Sequence, residues 1–245
     1  MASLTFVGVA AGIMSLVAGA ANLALCLMAL AKWREKRASP TLFLALSAAA
    51  YSGACWFGTI TYFTSPFSLS VATITNALIY VTVFAATIFM FLFARIFFEP
   101  KRWQEVLYVA TGAAVALVIA VTDSVYIDSV GDYPVIVLKD AYAVAVLAYL
   151  VPTYLGIFSS ARRARARIDE PVYRAGFGYV SIGVLMPLLT FVADTGATLT
   201  KDLDAIYTIF LMLTWVFPIL ATTFMYLGYM LPGWLRARLE HQRQA

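Results

Sequence analysis

Long apolar runs fill most of the chain, and they are broken by proline, glycine or clustered charge. Dividing the sequence at those breaks predicts seven helices, over 4–32, 41–63, 70–98, 104–122, 135–159, 172–198 and 204–231. Each is close to or longer than the roughly 20 apolar residues that cross a bilayer. The longer ones can tilt or protrude. The pattern therefore predicts an all-α, polytopic seven-transmembrane helix bundle, a single domain over residues 1–245. The opening MASLTFVGVA has no basic stretch ahead of its apolar run, so it reads as a retained first helix rather than a cleaved signal.

Composition agrees and narrows the function classes. The chain is 62% hydrophobic and 12% charged, against roughly 45–50% and 25% in soluble domains. A cytosolic enzyme and a disordered chain are excluded. Once seven helices are placed in 245 residues, only loops remain, so no second catalytic or DNA-binding module is expected.

A net charge of +4 would suggest nucleic acid as a partner, but the placement of the charges explains them better. Fifteen of the 17 Lys and Arg residues lie on one face, in the loops between spans one and two, three and four, and five and six, at the span ends that adjoin those loops, or after span seven. Only Lys139 and Lys201 lie on the other face. Seven of the eight Asp residues (Asp123, Asp128, Asp132, Asp140, Asp194, Asp202 and Asp204) lie on or near that other face. Basic loops stay cytoplasmic during insertion. The expected topology has the N-terminus outside and the C-terminus cytoplasmic, in the inner membrane of a prokaryote. Trp33, Trp103 and Trp234 fall where an interfacial aromatic belt belongs on the inner side. Arg162, Arg163, Arg165 and Arg167 form the densest basic run. Topogenesis and anionic lipids account for it, and the alternative is a docking surface for a cytoplasmic or membrane signalling protein.

Candidate chemistry is sparse. Cys26 and Cys55 sit inside apolar runs and read as small packed side chains. The single histidine, His241, is in the polar tail. The chain has no HExxH, GxSxG, Walker loop or Cys/His metal spacing. No catalysis, metal or cofactor is expected. Gly8 and Gly12 make a GxxxG pair on span one, suited to packing within the chain or to a homodimer face. Pro152, Pro187 and Pro218 interrupt spans five, six and seven. Each removes a helical hydrogen bond, which yields either permanent kinks or a hinge around a cavity.

Charges within spans are costly and tend to be functional. Lys139 and Asp140 fall about one and a half turns into span five, and Asp194 about one turn from the outer end of span six. No charge falls at the midplane, which argues against a proton pump. Asn22, Asn76, Tyr142, Tyr149, Tyr154 and Tyr179 could line an uncharged polar path. The site expectation is that Asp194 pairs with Lys139 near the outer rim, with Asp140, Asp123, Asp202 and Tyr142 nearby. Together they would bind a cation, or a cationic or polar ligand. The competing reading is solvated loop acids with one structural salt bridge.

Seven helices, an outside N-terminus and about 245 residues resemble microbial rhodopsins in length and topology. Span seven has no lysine, however, so the Schiff base to retinal that the resemblance would imply cannot form. The region around Trp33–Pro40 and the helix ending near Trp56, the stretch Phe84–Trp103, and RAGFGYVSIGVLMPLLTFVADTG with Pro187 resemble the seven-transmembrane sensor region of prokaryotic histidine kinases. This likeness implies a sensing or binding module. No kinase domain is expected after span seven, so such a module would signal through a partner. The leading functional expectation is a receptor-like sensory module for a small or lipophilic ligand. The alternatives are a small transporter or channel for an uncharged solute, and a structural subunit of a larger membrane complex. A receptor should have a pocket open outward and closed toward the cytoplasm. A transporter should have a polar path running through, and a subunit no cavity at all.

Overall fold

Seven helices long and apolar enough to cross a membrane run up and down through the structure, making this a multi-pass membrane protein with an all-α bundle. The computed structural model describes residues 6–130, 133–200 and 204–241. Asp132, Lys201 and Asp202 lie outside the described residues. The helices are α1 (Phe6–Lys36), α2 (Ser39–Thr64), α3 (Leu69–Phe93), α4 (Arg102–Val121), α5 (Asp140–Ala166), α6 (Pro171–Leu199) and α7 (Asp204–Met225). A 3₁₀ turn, Ala94–Ile96, follows α3. A π turn, Tyr226–Met230, extends α7, and a short α8, Gly233–His241, follows. Successive helices are neighbours and α1 closes the ring against α7. Helix α4 sits at the periphery, with Val106, Leu107, Leu117 and Val121 exposed as lipid-facing residues would be.

Two boundaries differ from the sequence expectation. The segment read as the loop from Asp123 to Tyr133 and the start of span five is an antiparallel hairpin, β1 (Val125–Val130) and β2 (Tyr133–Leu138), with Val125 opposite Leu138 and Ile127 opposite Ile136. The apolar run VIVL (135–138) has no period of its own that would set it apart from the following helix in the sequence. Its β-branched residues favour a strand. Lys139 keeps extended backbone, and Asp140 opens α5, where a carboxylate favours the helix N-terminus. At its other end α5 runs on to Ala166, so Arg162, Arg163 and Arg165 lie on the helix and Arg167 caps it, all four exposed. Arginine is a good helix former, and at a helix C-terminus its charge complements the helix dipole.

Without a hydrophobic drive between helices in lipid, close contact and hydrogen bonds hold the bundle. The Ser15 hydroxyl donates to the Cys55 carbonyl at 2.6 Å, Ser52 to Gly19 at 2.8 Å, and Ser47 to Ala86 at 2.8 Å. The Thr61 and Thr75 hydroxyls meet at 2.8 Å, tying α2 to α3. Gly8 and Gly12 are buried, and a side chain at Gly12 would strike Phe63 of α2 at 2.9 Å. This small-residue face is therefore used within the chain, and a homodimer through it would have to displace α2. Free Cys26 and Cys55 are both buried.

Candidate functional site

The hairpin lies across one end of the bundle. The Ser65 hydroxyl, after α2, donates to the carbonyl of Pro134 in β2. At the hairpin base the Lys139 amide donates to the Ser124 carbonyl at 2.9 Å, and the Ser124 hydroxyl to the Ile119 carbonyl at 2.9 Å. Beneath the hairpin, a chamber of about 270 Å³ opens between α2, α3, α5, α6 and α7. That is nearly twice the roughly 150 Å³ that admits benzene. A smaller outer chamber of about 80 Å³ adjoins it under β2, and Tyr62, Asn76, Ile136 and Asp194 line both.

The polar groups come from stripes at helical spacing. Asn76 and Tyr80 stand one turn apart on α3, and Thr190, Asp194 and Thr198 on α6. Thr214 and Pro218 do the same on α7. The hydroxyls of Thr190, Thr198 and Thr214 donate to the carbonyls of Met186, Asp194 and Phe210, so their oxygens have only acceptor capacity left for the chamber. Pro218 has no N–H, which deprives the Thr214 carbonyl of its usual helical donor. Asp194 is half-buried, and Tyr80 lines the same chamber. Among the described residues no cation pairs with Asp194. The Asn76 side chain is 8% exposed and its Nδ2 has no hydrogen-bond partner. Apolar walls come from Ile79, Val83, Leu147, Phe191 and Trp215.

The structure brings together only part of the expected set. Asp194 and Asp140 line the chamber, Asp140 at the exposed mouth. Lys139 instead pairs with Asp123 on the surface, where such a bridge is worth at most about 1 kcal/mol. The expected Lys139–Asp194 pair does not form, because the hairpin makes Lys139 the residue before α5 rather than a residue inside it. Tyr142 packs beside the core and does not line the chamber. Of the polar path, Asn76 lines the chamber. Asn22 returns its amide to the Ala18 carbonyl at 2.9 Å, and Tyr149 stacks on Tyr108 with ring centres 4.7 Å apart. Tyr154 is fully buried, 3.2 Å from the Thr87 hydroxyl. Tyr179 stacks near Phe224. Tyr51, Tyr62, Tyr80 and Trp215 were missed. The i, i+4 relation of Tyr80 to Asn76 was the available signal.

Toward the opposite, basic end the chamber closes. A void of about 20 Å³ near Asn22, Pro187 and Thr222 holds little more than one water. Beyond it the backbones of Gly176 and Gly228 meet, and the rings of Phe93 and Tyr229 pack edge to face. Lys32 Nζ donates to the Tyr229 carbonyl at 2.9 Å, and the Thr41 and Tyr229 hydroxyls meet at 2.6 Å. Pro152 lies in a separate shallow groove with Phe91 and Tyr108. Among the described residues no group of His, Cys, Asp and Glu could hold a metal ion. The sequence matches no protein-family model and no curated protein.

Proposed function

We propose that this chain is a non-catalytic, receptor-like membrane module that takes a small ligand from the hairpin side and signals through a partner at its basic end. One observation carries the reading: a chamber of about 270 Å³ that is blind toward the basic end. A transporter would need the path to continue. A purely structural subunit would not need the chamber. Helix α7 links the two ends, since Pro218 lines the chamber and the same helix runs on into the π turn gripped by Lys32. The exposed arginines Arg162, Arg163, Arg165 and Arg167 then offer the contact for a cytoplasmic or membrane partner. The resemblance to histidine kinase sensor regions supports the same reading.

Filling the chamber tests it. Ala143→Trp places an indole into the space from α5. Protein purified in native membrane discs should release a stoichiometric small molecule from the wild type and none from A143W, read by mass spectrometry. Equal small-molecule profiles, or an empty wild type that carries a constant protein partner, would sink the receptor reading in favour of a subunit.

The proposed orientation puts the hairpin outside and the basic end in the cytoplasm of a prokaryotic cell, on the strength of the charge sorting. Ser129 and Arg163 are exposed at opposite ends, and the native cysteines are buried. In intact cells a membrane-impermeant maleimide should label Ser129→Cys but reach Arg163→Cys only after permeabilisation. The reverse pattern would invert the topology.

A further inference from the structure

Asp194 lines both chambers, and among the described residues no basic side chain pairs with it. Asp140 joins it in the larger chamber, and among the described residues no Lys, Arg or His lines either chamber. Lys139, one residue from the mouth, turns away to Asp123. A half-buried carboxylate without a countercharge is costly in a site of low dielectric. The oxygens of Thr190, Thr198 and Thr214, whose hydrogens are committed to helix carbonyls, add acceptors. The nine-tenths-buried Asn76, lining both chambers beside Asp194, adds an Nδ2 donor that no described residue accepts from.

A bare metal ion does not suit this lining. Hard cations need about six oxygens, whereas the larger chamber presents more apolar than polar side chains. Aromatic rings of Tyr62, Tyr80, Phe191 and Trp215 on the walls favour an organic cation, which gains from ring faces as well as from a carboxylate. Resting on the receptor reading, we infer that the ligand is a small organic monocation. Its protonated amine sits on Asp194, its polar neighbour on Asn76, and its apolar body against Val83, Leu147 and Phe191. The chamber volume sets its size at on the order of ten non-hydrogen atoms, somewhat more than benzene.

Three probes with the same eight-carbon skeleton and different charge test this: phenethylamine, 2-phenylethanol and phenylacetate. They are titrated onto the full chain in lipid nanodiscs. The signal is the fluorescence of Trp215, taken as the difference between wild type and Trp215→Phe so that probe dissolved in lipid cancels. The amine should saturate the signal and bind roughly tenfold or more tightly than the alcohol, with the carboxylate weakest. Asp194→Asn should abolish the preference for the amine, and Asp194→Glu should keep part of it. Equal binding of amine and alcohol, or a preference that survives D194N, overturns the cation assignment. The receptor reading would still stand if A143W blocks the alcohol. If none of the three probes saturates the wild type, the cation assignment falls. The receptor reading is then judged by the small molecule released in the A143W comparison.

Discussion

Gly228→Leu is expected to stop the bundle closing at its basic end, the largest effect of any single substitution proposed for this chain. A Cβ at Gly228 would lie 2.6 Å from the Gly176 carbonyl oxygen and 2.6 Å from the Val180 amide nitrogen. In the reverse direction, a Cβ at Gly176 would lie 2.8 Å from the Gly228 oxygen. All three are backbone atoms, of α6 or of the π turn, so no side-chain rotation relieves the clash. The π turn widens the helix at this point and lets its backbone reach α6. Overpacking costs about 1–3 kcal/mol where side chains can adjust, and more where they cannot. Gly228→Ala should already lie at or above the upper end of that range. G228L should lose the monodisperse peak in size-exclusion chromatography after detergent extraction. Gly156→Leu is the control, because a Cβ there meets nothing within 4 Å. Indistinguishable behaviour of G228L and G156L would show that the α6–α7 contact does not hold the basic end shut.

Trp215→Ala should carry the second largest penalty, and it should be coupled to a residue 157 positions away. Trp215 is 7% exposed and lines the chamber. Its ring stands edge-on to Tyr62, with centroids 5.9 Å apart, and its Nε1 donates to the Tyr62 hydroxyl at 3.3 Å. In a bilayer the separated helices remain in lipid, so transfer out of water contributes little. The cost is the void, the lost contacts and the lost hydrogen bond. That places W215A near about 3 kcal/mol, the low end for Trp→Ala. Gly58 makes room for this ring, since a Cβ there would lie 2.6 Å from Trp215 Cη2 and 2.8 Å from Ser15 Oγ. Gly58→Ala should therefore destabilise the wild type and cost much less in the W215A background. Unfolding by SDS titration of the four proteins gives the coupling. Additive costs would mean that Gly58 serves some other contact.

The two substitutions probe places that the sequence read unevenly. Asp194 and Asn76 were both legible as polar groups in apolar spans, and the stripes Asn76–Tyr80 and Thr190–Asp194–Thr198 could have been read from their spacing of four. What spacing could not supply was which stripes face one another. Lys139 shows the limit. It directly precedes Asp140, yet the hairpin turns it outward to Asp123 while Asp140 lines the chamber mouth. Gly58 and Gly228 likewise look like any other glycine in a membrane helix until Trp215 and Gly176 are seen against them.

The sequence by itself determined that the chain crosses a membrane by seven helices, because the length and polarity of a spanning segment are local properties set by the bilayer. It also determined that basic and acidic residues are sorted to opposite ends, because each loop's charge can be counted without knowing its neighbours. Tertiary structure decided the rest. It turned an apolar run into a hairpin laid across the bundle, used the Gly8–Gly12 face inside the chain, and closed the basic end at Gly176 and Gly228. It also left Asp194 in a chamber where no cation pairs with it among the described residues. Each of these depends on contacts between residues far apart in sequence, and in lipid such contacts rest on shape and hydrogen bonding, which hydropathy does not record.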